Sequence, residues 1–544
     1  MRSIRNITAA LALLIALQAG AAQLQVQVAQ GQLEGTEEGG MRVFRGIPFA
    51  APPINALRWR EPQPAASWSG VRKADQFGSA CAQGQTGADG NLGPRISEDC
   101  LYLNVWTPAK DEEKLPVLVW VYGGGFAGGR TSDALFDGQP LARKGVVYVS
   151  VAYRVGVMGF LAHPELSAEN RRLHGVAASG NYGLLDLVSS LQWIKKNIAA
   201  FGGDPNKVTI WGESAGAIAV SMLAVVPQAK GLFHGVISDS GGSFGSTRTP
   251  TAPGENVPPL AIAEQAGVTL AGKLGVTTLD AMRAKPTGEV QAKARGIGNI
   301  GWPVLDGWVL PDDQYVLYSK GKYHDTPVLV GINSDEGASF SRTDDPAQFQ
   351  SDTRSRFSVH ADQILKAYPP DAKGSIKQAA RNVMREASFG WQSWVWAKLQ
   401  SERRGSPVFV YYMDQRPPYA ADSRNADVAG VPHGAELPYV FQQLNLTKLP
   451  WTDADRRIAD AMGTYWTNFA KTGNPNGAGL PSWPAFTSKD SQRMVFKDSP
   501  QAKPYDNLAQ LEAMDAYFAW RRTPEGKRFG ENGGTANSGP LGQR

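Results

Sequence analysis

The chain has 544 residues, 42% hydrophobic, 9% aromatic and 19% charged, a globular composition that excludes a disordered chain, a collagen-like repeat and a coiled coil. Its 55 basic and 50 acidic side chains leave a formal charge of +5 with no long run of one sign, so no nucleic-acid surface is expected. Two cysteines exclude a disulfide-dense scaffold and a four-cysteine zinc site.

The chain opens with Arg2 and Arg5, continues through the almost wholly apolar residues 7–17 and reaches Ala19-Gly20-Ala21-Ala22. Positive, apolar and small in that order is a signal peptide, so residues 1–22 are expected to be removed and the protein exported, to the periplasm or beyond. The apolar stretch is too short to cross a membrane and no other run reaches about eighteen residues, so no transmembrane segment is expected. Leu24, Val26 and Val28 then alternate with glutamines and predict an antiparallel edge hairpin. Cys81 and Cys100 follow in a stretch rich in Gly, Ala, Asp and Gln. Export permits a disulfide between them, worth roughly 3 kcal/mol through the unfolded chain, with two free thiols as the alternative. No His lies in or beside this stretch, so no metal site is expected there.

Residues 117–121, 146–151, 208–211, 236–237, 328–330 and 408–412 are short, rich in β-branched and aromatic side chains and bounded by turn residues, the pattern of buried strands. Between two of them Leu184, Leu187, Val188, Leu191 and Ile194 recur at helical spacing, and Gly202-Gly203 stops the pattern. Continuous apolar strands alternating with amphipathic helices predict an α/β fold, a mostly parallel sheet covered on both faces. No linker composition divides the series, so residues 23–529 are expected to form one domain. Helical segments near 243–310 and 344–404 are the expected capping insertions. Leu508, Leu511, Met514 and Phe518 mark a last helix, and residues 530–544 have the composition of a disordered tail.

The strand at 208–211 runs into Gly212-Glu213-Ser214-Ala215-Gly216 and then into small, helix-compatible residues. This is G-x-S-x-G between strand and helix, where a sharp turn exposes the hydroxyl and the glycines let the two backbones approach. The pattern alone is weak in a glycine-rich chain; its context raises it. Gly123-Gly124-Gly125 follows another predicted strand, where such a sheet supplies backbone N–H groups to an oxyanion. A phosphate loop would need a Gly-Lys-Ser/Thr run, which is absent.

A serine nucleophile requires an acid and a histidine later in the chain. Of the six histidines, at 163, 174, 234, 324, 360 and 433, the last is best placed, in a turn after the strand at 408–412. His324 precedes a strand and His360 falls in a capping insertion. Asp335-Glu336 follows the strand at 328–330 at the end where sheet sites gather, and spacing does not choose between the two carboxylates.

These residues belong to a longer ordered set. It includes Phe44-Arg45-Gly46-Ile47-Pro48, Ser97-Glu98-Asp99-Cys100-Leu101-Tyr102-Leu103-Asn104-Val105, Gly123-Gly124-Gly125-Phe126, Tyr153-Arg154-Val155-Gly156, Asp335-Glu336-Gly337 and His433-Gly434-Ala435-Glu436-Leu437. With them the chain resembles the type-B carboxylesterase/lipase family of α/β-hydrolases, which includes the cholinesterases, over about residues 31–517. The resemblance implies Glu336 as the acid, His433 as the base, and Gly124, Gly125 and Ala215 as oxyanion donors. It also implies Ser240, and with it Glu213, as supporting groups, and a Cys81–Cys100 disulfide. Tyr122 stands where many members have His, and Ala152 where Asn is usual.

The implied activity is hydrolysis of uncharged or broad-range carboxylic esters through an acyl-enzyme. The partners are a small ester and water, with neither metal nor organic cofactor. A lipase or polyester hydrolase of the same family is the alternative, and a non-catalytic cholinesterase-like binding protein a remoter one, since such proteins have typically lost the nucleophile. In cholinesterases a Trp in the N-terminal disulfide loop holds the quaternary ammonium. Here no Trp, Tyr or Phe lies between Cys81 and Cys100, so no preference for choline esters is expected.

Overall fold

The structure, a computed structural model, describes residues 24–84, 96–110, 113–246, 257–371, 375–403, 405–423 and 425–531. The expected signal peptide lies outside the described residues. So does the expected tail, apart from residues 530 and 531, which end the helix Pro524–Glu531.

An eleven-stranded sheet forms the centre. In chain order its strands are β1 (Thr36–Glu38), β2 (Met41–Pro48), β3 (Tyr102–Thr107), β4 (Leu115–Val121), β5 (Val147–Val151), β6 (Gly203–Glu213), β7 (Gly235–Asp239), β8 (Val328–Asn333), β9 (Val408–Met413), β10 (Gln492–Lys497) and β11 (Ser499–Pro504). Their order across the sheet is β11-β10-β9-β8-β7-β6-β4-β5-β3-β2-β1. From β5 to β10 neighbours run parallel; antiparallel pairs close both ends. The central strands are buried on both faces, which is why they appear as unbroken apolar runs rather than as alternation.

The strands that the sequence did not announce lie toward the edges. β11 is polar and carries two prolines, which only an edge strand tolerates. The N-terminal hairpin forms, Gln25–Val28 against Gly31–Glu34, but not on the edge of this sheet. It joins Val71–Lys73 in a separate three-stranded sheet. The chain leaves it at Gly35, where any side chain would strike Val43 O and the Phe44 ring.

Helices cover both faces. The helix α1 (Tyr182–Asn197) buries the predicted Leu and Val positions, and a following short turn ends at Gly202 in the left-handed region. The helix α2 (Ala215–Leu223) leads from β6 back to β7. Beneath β5, Arg154 Nε and Nη2 grip Asp186 at 2.8 and 2.7 Å, and Asp186 also accepts from the Arg154 backbone. This pair and its local hydrogen bonds satisfy a charge that would otherwise be costly to bury.

Among the described residues, segment 257–310 contains the helices Leu260–Lys273, Leu279–Arg283 and Thr287–Ala294. They build a second apolar cluster in which Leu270, Met282 and Val290 join Met158, Leu161 and Trp59. Segment 344–403 contains Pro346–Phe357, Ala361–Ala367 and Ile376–Arg385, a π-helical turn at Glu386–Gly390, and α3 (Trp391–Glu402). That last helix packs directly on β8 and β9, so this stretch supplies part of the layer beneath the sheet as well as its cover.

Strand order reverses between β4 and β6, since β5 lies on one side of β4 and β6 on the other. The crevice beyond the carboxyl ends of the strands at such a switch is where open α/β sheets bind ligands.

Candidate active site

Ser214 stands at that crevice, at the turn between β6 and α2, with φ 54° and ψ −123°. A non-glycine residue at positive φ costs of order 1–3 kcal/mol and persists only where its surroundings over-determine it. Here Ser214 N–H donates to Asp239 O on β7 at 2.9 Å. Gly212 and Gly216 are indispensable: a Cβ on the first would overlap Gly216 and on the second Val121 O. The short G-x-S-x-G spacing is thus a packing requirement.

The glycine loop after β4 closes over the turn. A Cβ on Gly123 would lie 3.0 Å from Ser214 Cβ and 2.7 Å from Glu213 O. Gly124 and Gly125 adopt φ 97° and 63°, and a side chain on Gly124 would run into Gly128 O. The N–H groups of Gly124, Gly125 and Ala215 make no hydrogen bond within the described residues. Ala215 opens α2, where the first amides of a helix have no internal acceptor and carry partial positive charge. Tyr122 and Tyr153 stack at 4.7 Å and each hydroxyl donates to the other's carbonyl, at 3.0 and 2.9 Å, which pins the base of the loop.

Beside Ser214 the structure brings together His433 and Glu336. The Ser214 hydroxyl is 2.8 Å from His433 Nε2, and His433 Nδ1–H donates to Glu336 Oε2 at 2.6 Å. Glu336 is wholly buried; its Oε1 accepts from Asn333 N at 2.8 Å and from the Ser240 hydroxyl. Asp335, the other carboxylate that spacing left open, points away. It accepts from Ala429 N at 3.1 Å and its own N–H donates to Val431 O, tying the acid turn to the loop that bears His433. Of the other histidines, His163 caps a helix, accepting from Glu165 N, and His234 accepts from Val208 N. His324 is bonded to Val226 O, and none of these rings enters the site.

Three groups around His433 carried no signal in the sequence. Phe389, from the π-helical turn, stacks on the imidazole at 4.7 Å and 23°, and Phe340 meets it at 5.0 Å and 60°. Both approach from segments distant in the chain, and neither is marked by its neighbours. Asn333, at the end of β8, donates to Pro432 O at 3.1 Å and to Glu436, joining the acid turn to the histidine loop.

Glu213, Glu336 and Glu436 are buried around this single imidazole, with Asp239 buried beyond them near Glu213 and Glu436. Carboxylates buried so close together disfavour one another's charged form. Burial pushes Glu213 and Asp239 up, and burial with the nearby Glu336 pushes Glu436 up. Asp239 accepts from Trp211 Nε1 at 2.6 Å. For His433 burial works against the charged ring, but Glu213 and Glu336 outweigh it and the imidazole is pushed up to about 9. Glu213 Oε1 lies 3.3 Å from His433 Nε2, so the two compete for one proton and titrate as a pair.

Cys81 and Cys100 form a disulfide, with Cα atoms 4.9 Å apart. No described helix is long and apolar enough to cross a membrane. Among the described residues no group of three or more His, Cys, Asp or Glu is arranged to hold a metal.

The parallel sheet with helices on both faces, the nucleophile-type turn after β6 and the glycine loop after β4 define an α/β-hydrolase. The chain belongs to the carboxylesterase family, whose profile matches residues 22–514, and it is an ester hydrolase. It is 35% identical over 489 residues to the fumonisin B1 esterase of Sphingopyxis macrogoltabida, covering 88% of this chain and 87% of that protein. It is 32% identical to the para-nitrobenzyl esterase of Bacillus subtilis, covering 86% and 93%. Among solved structures, a PNB esterase superposes with a TM-score of 0.77 at 29% identity, over 90% of this chain and all of that one.

Proposed function

We propose that this carboxylesterase works by two-step acyl transfer on broad-range carboxylic esters. His433 takes the Ser214 proton as the hydroxyl oxygen attacks the ester carbonyl, and Glu336 orients the ring and balances the imidazolium. The oxyanion rests on the N–H groups of Gly124, Gly125 and Ala215, each such donor being worth roughly 3 kcal/mol in comparable sites. His433 returns the proton to the departing alcohol. Water, activated by the same ring, then cleaves the acyl-Ser214 bond. The observation that carries this reading is the single imidazole bonded at 2.8 Å to Ser214 and at 2.6 Å to Glu336.

The N-terminal charge pattern and the disulfide support export with loss of residues 1–22, leaving residues 23–529 as the catalytic domain. The decisive experiment is Ser214→Ala. The variant is expected to fold and to lose about four orders of magnitude or more in turnover of a p-nitrophenyl ester, together with the burst of nitrophenol that marks acylation. Retained turnover overturns the assignment. His433→Ala should match it, and Glu336→Ala should cost less, because the acid orients rather than reacts.

A further inference from the structure

Beside the two loops that carry Glu336 and His433 lies a cavity of about 470 Å³, whose lining includes Ser339, Arg342, Lys377, Arg381, Asp427 and Pro432. We propose that it is a subsite for a free carboxylate carried by the ester substrate, so that the preferred substrates are esters of dicarboxylic or hydroxycarboxylic acids. The proposal rests on the ester-hydrolase reading above and narrows it.

Placement comes first. Ser339 closes the 3-10 turn that begins at Glu336, so at about 2 Å rise per residue it is roughly 6 Å along from the acid. Pro432 immediately precedes His433, about 3.8 Å away between Cα atoms. The cavity therefore adjoins both the turn of Glu336 and the loop of His433, and the proposal places a short arm of the substrate between it and an ester carbonyl at Ser214. The wall is also firm. Gly337 lies so close to Arg381 O that a Cβ would overlap it, which locks the acid turn onto the helix bearing Lys377 and Arg381.

Charge comes second. Three cations face a single lining carboxylate. Lys377 and Arg381 share it: Lys377 Nζ and Arg381 Nη2 both bind Asp427 Oδ2, the second at 3.1 Å. Arg381 is further engaged by Asp335 at 3.6 Å from behind, and its side chain is 6% exposed, a fixed cation rather than a solvated one. Arg342 has neither an ion-pair nor a hydrogen-bond partner among the described residues. The lining thus holds an excess of positive charge. A planar guanidinium fork matches a carboxylate in two parallel hydrogen bonds, which a neutral ester group cannot replace.

The test uses isosteric pairs that differ only in charge. On the acyl side, the mono-4-nitrophenyl ester of glutaric acid is compared with the 4-nitrophenyl ester of glutaramic acid. On the alcohol side, acetoxyacetate is compared with acetoxyacetamide. The native enzyme is expected to favour the anion at least tenfold in kcat/KM in one of the pairs, and that pair identifies the arm that occupies the cavity. The Arg342→Gln/Lys377→Gln variant is expected to lower this anion-to-amide ratio at least tenfold. A ratio near one in both pairs, or a ratio unchanged in the variant, overturns the subsite while leaving ester hydrolysis intact. Failure of the native enzyme to cleave any of the four esters counts against the ester-hydrolase reading itself.

Discussion

Two regions meet on the His433 ring, and they are built in opposite ways. On the nucleophile side, five consecutive residues do nearly everything: Gly212 and Gly216 are required by contacts with each other and with Val121, and Ser214 is held at positive φ between them. On the base side nothing is consecutive. The imidazole is bonded by Glu336 after β8 and stacked by Phe389 from the π-helical turn, and its loop is held by Asn333 through Pro432 O; Glu336 lies about a hundred residues upstream of that loop. A geometry that depends on close backbone approach must be written locally, in glycines. One that depends on packing can be written anywhere in the chain that the fold brings near.

The sharpest way to break this contrast is to alter the glycine loop, where the local frame tolerates no side chain. Gly124→Ala places a methyl group against Gly128 O at a φ of 97° and shifts the N–H proposed as an oxyanion donor. Loss of one such donor costs about a hundredfold or more in kcat, so that is the expected effect, with circular dichroism unchanged. A loss under threefold would move the oxyanion donors elsewhere.

The distributed side should yield more gently. Phe389→Ala removes the ring stacked at 4.7 Å on His433 and leaves both hydrogen bonds of the imidazole in place. An aromatic face stabilises a cation by about 1–2 kcal/mol when water is excluded, so kcat is expected to fall about tenfold as the imidazolium forms. Phe389→Leu, which keeps most of the volume but not the π face, separates the two contributions. If Leu restores the native rate, the ring acts by packing alone.

The same contrast explains what was legible in the sequence. Residues 117–121 and 328–330 announced their strands because both faces are buried and every position is apolar. Turn chemistry and chain order single out Ser214, Gly124 and His433, and the structure sets Ser214 and His433 side by side. The choice of Glu336 over Asp335 was not available from spacing, since both carboxylates are in one turn and only the packing of residues 429–433 turns one inward. Phe340, Phe389 and the charged cavity were silent for the same reason. β11 and the N-terminal sheet were misread or missed because short edge strands are set by what they pair with rather than by their own pattern.

The buried carboxylates offer a finer probe. In the proposed mechanism His433 must be neutral to accept the Ser214 proton, so kcat/KM is expected to rise with pH as the ring loses its own. Residue type alone puts that limb near 6.5. Burial opposes the charged ring, but Glu213 and Glu336 hold it up to about 9, so the limb is expected above 6.5. Glu213→Gln removes the carboxylate 3.3 Å from Nε2 and should lower the limb by about a unit or more, in a profile taken with chemistry rate-limiting. An unmoved limb would show that Glu213 does not share the proton.

The smallest effect concerns the alcohol of the ester. A desolvated cation over an aromatic face gains up to about 2 kcal/mol, enough for more than tenfold in kcat/KM. Between Cys81 and Cys100 this chain has Ala, Gln, Gly, Asp and Asn but no aromatic residue, so that term is missing from the disulfide loop. The excess of Arg and Lys in the neighbouring cavity works in the same direction, since it repels a quaternary ammonium. Acetylcholine and its uncharged 3,3-dimethylbutyl isostere are therefore expected to be cleaved with kcat/KM values within tenfold of each other. A larger preference for the cation would mean that one of the fifteen tryptophans, outside the disulfide loop, takes the ammonium. The cationic cavity would then have to lie on the acyl side of the ester.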